Sequence, residues 1–314
     1  MRSGKPAAAF AVLLVVSFAT MNAMPSDTLL AALLQEAVLA LVALVAVGLA
    51  VPDALKRCTQ TVQQQSIVRF TAITLLLVGL VGGAITLLAW LFAGGGTMAC
   101  FASTALPSTA DLMENLLLLL GICLLTGLYE ESFMRVLGIE AFERALDTKR
   151  AILASAALFA LLHVGAPDVS VGQLVLLQAA LKFGQALLFG VILGALYVRT
   201  RRLWPCAFIH AGFDVLYMAP NVLLTGTMPE TYASGAVGDT VLLAVSVLML
   251  AGIVLKIRKE IADYVLTYQR QRVSVTATFG FVYCDEKQTM KERIALADSR
   301  LNQGKEKGKN QVVN

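Results

Sequence analysis

Apolar residues run through this chain in long, nearly unbroken stretches, not at the spacing of a one-sided helix or a half-buried strand. They fall at about 6–24, 28–51, 70–93, 112–137, 151–165, 172–198, 204–223 and 239–256. A helix needs roughly 20 mostly apolar residues to cross a bilayer, and most of these stretches reach that length. The fifth is short, with a start that can be drawn back toward Phe142. Barrel strands would alternate with period two, which such continuous runs exclude. In lipid a helix satisfies every backbone polar group within its own segment. The pattern therefore predicts an all-α fold, a polytopic transmembrane helix bundle of about eight spans.

The loops between these stretches set an orientation. Arg2 and Lys5 precede the first. Lys56, Arg57 and Arg69 follow the second, Arg144, Lys149 and Arg150 the fourth, Arg199, Arg201 and Arg202 the sixth, and Lys256, Arg258 and Lys259 the eighth. The alternate loops, around Pro25–Asp27, Gly94–Asp111, Gly165–Val171 and Pro220–Asp239, carry no Lys or Arg. Positive loops stay in the cytoplasm, so both termini are expected inside. Arg2 and Lys5 before an apolar run could also open a signal peptide, but Asn22-Ala23-Met24 is a poor cleavage site. Removal of that helix would leave seven spans in the same orientation.

Composition agrees. Hydrophobic residues make up 58% of the chain and charged ones 15%, with a mean hydropathy of +0.75, whereas soluble domains carry about 25% charged residues. The net charge of +4 is concentrated at one end, since twelve of the 25 Lys and Arg lie from Lys256 onward. This divides the chain into a bundle, 1–257, and a basic cytoplasmic tail, 258–314. Within the tail, Lys259–Arg272 could continue the last helix, the alternation of Arg272–Cys284 suggests a strand, Glu286–Gln303 a polar helix, and Gly304–Asn314 disorder. Acids interspersed with the bases argue against nucleic acid as a partner. The anionic inner leaflet suits the tail better. The five scattered cysteines form no metal or redox motif.

Several ionisable residues interrupt the apolar stretches, and such residues mark function by default, because a charge at the bilayer centre costs about 2.5–3.5 kcal/mol on insertion scales. Tyr129-Glu130-Glu131-Ser132-Phe133-Met134-Arg135 places two carboxylates and a guanidinium in the fourth stretch. Neighbours on a helix point about 100° apart. Glu131 and Arg135, four apart, can pair, which leaves Glu130 to face elsewhere. The two histidines of the chain both lie in apolar stretches, His163 four residues after Phe159 and His210 four residues before Asp214. At 1.5 Å per residue, Glu130, His210, Asp214 and His163 lie roughly 13, 9, 15 and 20 Å from the cytoplasmic ends of their helices. These depths let all four line one cavity in the cytoplasmic half of the membrane. Lys182 and Glu36 have compatible depths and are expected to form a structural salt bridge, with a role in the substrate cavity as the alternative.

These three motifs, EExxxR, FxxxH and HxxxD on successive helices, resemble the signature of the CPBP family. Its members include the type II CAAX prenyl endopeptidases and bacterial bacteriocin-processing or self-immunity proteases. The resemblance runs from Glu130 to Asp214. It implies an eight-helix fold with a catalytic core at 112–223 and a conical cavity open to the cytoplasm. It further implies that Glu130 activates the attacking water with help from His163. His210 and Asp214 would then stabilise the oxyanion, with Glu131, Arg135 and Phe159 in support. The prenyl endopeptidases have Asn where this chain has Asp214. An aspartate could stay protonated, accept a bond from His210, or join Glu130, His163 and His210 in a zinc site of two histidines and two carboxylates. Metal-free glutamate chemistry is preferred and zinc is the alternative.

The expected activity is thus hydrolysis of a peptide bond in a membrane-anchored protein or hydrophobic peptide. Short loops point to a bacterial inner membrane. Three other readings remain at this stage: a non-catalytic scaffold or immunity protein of the same fold, a structural Glu–Arg–His cluster, and a transporter with a proton relay. The last predicts paired broken helices, which the sequence lacks.

Overall fold

The computed structural model describes residues 4–24, 26–56, 79–80, 107–164, 167–168, 170, 172–228, 234–262, 266–268, 271–273, 279–280, 290–306 and 312–313. The helix bundle is built from α1 (Lys5–Ala23), α2 (Leu29–Ala50), the short α3 (Pro52–Lys56) and α4 (Thr109–Glu131). A π-helix (Ser132–Ile139) continues α4 and ends in a final α-helical turn (Glu140–Phe142). Then follow α5 (Thr148–Val164), α6 (Val175–Thr200), α7 (Leu203–Thr225) and α8 (Val237–Ala262). Six of these helical stretches are long and apolar enough to cross a membrane; α5, with 17 residues, is shorter. Of the span expected at 70–93, only residues 79–80, which are helical, are among the described residues. The fold is an all-α polytopic bundle.

Local chemistry sets where the helices begin and end. Thr28 caps α2 by accepting from Ala31 N at 3.2 Å, and Ser108 and Asp111 form a reciprocal capping box at the start of α4. The corner between α6 and α7 turns at Arg201, whose φ of 50° is unusual for a residue with a side chain. Two hydrogen bonds to Glu143, at 2.9 and 2.8 Å, and one to Glu140, at 3.2 Å, hold it there. Outward faces carry large apolar side chains such as Leu49 (73% exposed) and Leu248 (72%). Such a surface is wet by lipid in a spanning helix, while soluble monomers rarely expose apolar patches this extensive.

The principal packings are α4 on α7, α5 on α6, and α2 on α4 and α1. Two glycines set the closest approaches. A Cβ at Gly127 of α4 would lie 2.6 Å from the Ala207 carbonyl oxygen of α7, and one at Gly190 of α6 would lie 2.9 Å from the Ala156 side chain of α5. Four helices are thereby drawn into two tight pairs.

The chain separates into two compact units, Met1–Ile257 and Arg258–Asn314. In the second, β1 (Leu266–Tyr268) and β2 (Gln271–Val273) pair antiparallel, with Leu266 opposite Val273. Strands β3 (Phe279–Gly280) and β4 (Val312–Val313) pair parallel, and α9 (Met290–Glu306) contacts both. The polar helix read from the sequence is present but runs three residues further, to Glu306. The end of the tail, expected to be disordered, supplies β4.

Candidate active site

The site begins where α4 changes its winding. Ser132–Ile139 form a π-helix in which all eight residues, including Arg135, are buried. Such segments are rare and recur at functional sites. Ser155 of α5 donates to the Met134 carbonyl at 2.7 Å, fastening α5 to this segment.

Glu130 and Glu131 sit at the last positions of α4, just before the change. Glu131 pairs with Arg135 at 3.0 Å, and neither side chain has any exposure. The guanidinium lies over the Phe159 ring, 4.6 Å from its centroid. Glu131 also takes a second partner: its Oε1 is 2.9 Å from Nδ1 of His210. One carboxylate thus bridges a cation on its own helix to a ring on α7.

His210 presents its other nitrogen to the cavity. Nε2 is 3.5 Å from Glu130 Oε2 and 3.4 Å from Asp214 Oδ2. The two adjacent glutamates therefore flank a single imidazole, Glu131 at one nitrogen and Glu130 at the other. His163 of α5 approaches the same Glu130 oxygen at 3.7 Å through Nε2, while its Nδ1 lies 2.8 Å from the Phe159 carbonyl oxygen. That oxygen of Glu130 has no hydrogen-bond partner. Phe159 and Phe189 pack against the rings: Phe159 is 4.1 Å from His163 and 5.9 Å from His210, and Phe189 is 5.1 Å from His210, centroid to centroid.

Glu130, His163, His210 and Asp214 line one cavity of about 320 Å³. Its wall extends through Glu36 and Gln35 of α2, Lys182 and Gln185 of α6 and Tyr217 of α7 to Ser26 and Met228. Those last two residues lie beyond the helix ends that the charge pattern puts outside the cytoplasm. On the orientation expected from that charge pattern, these residues lie toward the side opposite the cytoplasmic opening that the family resemblance implies. A smaller cavity of about 170 Å³, lined by Leu14, Phe18 and Met21 of α1 and Leu162 of α5, also touches Glu130, Phe159 and His163.

Lys182 Nζ donates to Gln185 Oε1 at 3.0 Å, and one oxygen of Glu36 is buried with no hydrogen-bond partner. The structure thus shows Lys182 bonded to Gln185 in place of the salt bridge to Glu36 that matching depths suggested. The four donors considered as a zinc set share the cavity. Among the described residues, however, no group of three or more His, Cys, Asp or Glu side chains is arranged to hold a metal ion.

Phe159, expected in a supporting role, packs against both histidine rings, whereas Ser155, Gly127 and Phe189 belong to none of the three motifs. Their roles emerge only from which helices touch.

Residues 112–216 match the family model described as Rce1-like, type II CAAX prenyl endopeptidase Rce1-like. The site region is similar to that family. The match covers a third of the chain and contains Glu130, Glu131, Arg135, Phe159, His163, His210 and Asp214. It agrees with the resemblance read from the three motifs and points to a CAAX-type intramembrane protease. No curated protein matched the chain.

Proposed function

We propose that this chain is an intramembrane endopeptidase in which Glu130 activates water against a peptide bond of a membrane-associated substrate. The observation that carries the reading is the setting of Glu130 Oε2. It has no hydrogen-bond partner, faces two imidazole nitrogens at 3.5 and 3.7 Å, and belongs to a residue lining a cavity. A water placed there can give its proton to the carboxylate while His163 orients it. The water oxygen bonds to the scissile carbonyl carbon, and the carbonyl oxygen becomes an oxyanion. When the carbon–nitrogen bond breaks, the proton held by Glu130 passes to the leaving amine.

His210 serves as the electrophilic partner. Carboxylates at both ring nitrogens can all be satisfied only by a ring carrying both protons, because each carboxylate is an acceptor. Glu131 fixes the ring through Nδ1, and Nε2–H is then aimed at the cavity, where an oxyanion would develop. In this reading Asp214 accepts from the same N–H in the resting site and gives way to the oxyanion during reaction. The amide found at this position in the prenyl endopeptidases is therefore dispensable here. Glu131 and Arg135 position the ring, and no metal takes part.

The reading places the protein in a bacterial inner membrane, with eight spans and both termini inside. The test is hydrolysis by purified full-length protein in liposomes, offered an S-farnesylated peptide ending in a CAAX sequence and an unmodified hydrophobic peptide. Mass spectrometry should find an internal bond cleaved in at least one. Both peptides remaining intact would count against a protease.

A further inference from the structure

Lys182 is the one lysine or arginine among the described residues lining the larger cavity. A chain of hydrogen bonds fixes its position. Its Nζ donates to Gln185 Oε1 at 3.0 Å, Gln185 Nε2 donates to Ser246 Oγ at 2.8 Å, and Ser246 donates to the Leu243 carbonyl at 2.8 Å. Gln185 and Ser246 are buried, so the chain reaches from the backbone of α8 through the core of α6 to a charged head at the cavity wall. The Tyr217 ring lies 5.7 Å from the ammonium. A cation inside a membrane bundle is costly and marks a functional site by default. This one is held by two helices in the space where the substrate must sit.

The complement of a fixed ammonium is an anion, and the anion that every peptide carries is its terminal carboxylate. Cavity size favours a chain end over a chain passing through, because about 320 Å³ is near the lower limit of small-ligand sites, roughly 300–1,000 Å³. Glu130 and Lys182 line the same space, so a carboxylate at Lys182 would place the attacked bond close to that end. We propose that Lys182 is a specificity-determining residue that receives the C-terminal carboxylate of the substrate. This inference rests on the endopeptidase reading above.

The test uses full-length protein carrying Glu130→Gln, so that bound peptide is not consumed. The probe is a fluorescent S-farnesylated peptide ending in a CAAX sequence, made once with a free C-terminal carboxylate and once as the carboxamide. Fluorescence anisotropy should show the acid binding about tenfold or more tighter than the amide, as expected for a charge-assisted hydrogen bond. Adding Lys182→Met should bring that ratio to about one, and Lys182→Arg should keep most of it. Equal binding of acid and amide, absence of binding by both, or an equal weakening of both by Lys182→Met overturns the assignment. The last outcome would mean that Lys182 only balances charge. The protease reading is judged apart from this, by whether protein with Glu130 intact cleaves the amide peptide.

Discussion

His210 Nδ1 and Glu131 Oε1 lie 2.9 Å apart, and this contact joins a buried ion pair to a ring whose other nitrogen faces Glu130. Glu131 is therefore a hub, tied at once to Arg135 and to α7. Removing it by Glu131→Ala should cost about 3–5 kcal/mol, because Arg135 would be left buried without compensation. A double variant, Glu131→Leu with Arg135→Met, should melt closer to wild type than the single variant. It should still fail to cleave, because His210 has lost the acceptor that orients it. Thermal melts that rank the double variant no better than the single would refute the buried pair.

The close approach of α4 and α7 gives a separate expectation. Gly127→Ala drives a methyl group to 2.6 Å from the Ala207 carbonyl. It should destabilise the protein by about 1–3 kcal/mol and lower activity by moving His210 away from the glutamates. Gly252→Ala, where nothing lies within 4 Å, serves as the control. Matching melting temperatures for the two variants would show that the helices are not in that contact.

Metal independence can be checked directly. Activity should persist after dialysis against a strong chelator, and elemental analysis of the purified protein should find no stoichiometric zinc. Loss of activity on chelation, with recovery on adding zinc, would replace the glutamate mechanism by a metal one.

Orientation is open to labelling. In a background without the native cysteines, Ser26→Cys should react with a membrane-impermeant maleimide in intact cells, while Arg150→Cys should react only after permeabilisation. The reverse pattern would invert the topology and put Ser26 and Met228, at one end of the cavity lining, on the cytoplasmic side.

Much of the bundle was legible because lipid leaves so few options. The apolar runs at 6–24, 28–51 and 204–223 fall within two residues of α1, α2 and α7 at each end. The convergence of Glu130, His163, His210 and Asp214 was legible too, since ionisable residues in apolar helices stand out against their surroundings. The finer wiring was not. The 100° offset between neighbours separates Glu130 from Glu131 correctly, yet it cannot show that a ring from another helix fits between them and meets both. Nothing in Ser132–Ile139 announces a π-helix, because the same residues could continue an α-helix. Ser155 and Gly127 look like ordinary small residues until the helices they contact are known. Depth alone pairs Lys182 with Glu36, and depth along a helix does not tell which face a side chain takes.

Glu130 is the residue whose loss tests the proposed mechanism most directly. Cleavage of the farnesylated peptide should be measured in liposomes for wild-type protein and for Glu130→Gln, with the melting temperature of each recorded. The variant should melt like wild type and lose about 10²–10⁴-fold in rate, the usual contribution of a general base. A folded Glu130→Gln protein that cleaves at the wild-type rate would contradict the mechanism.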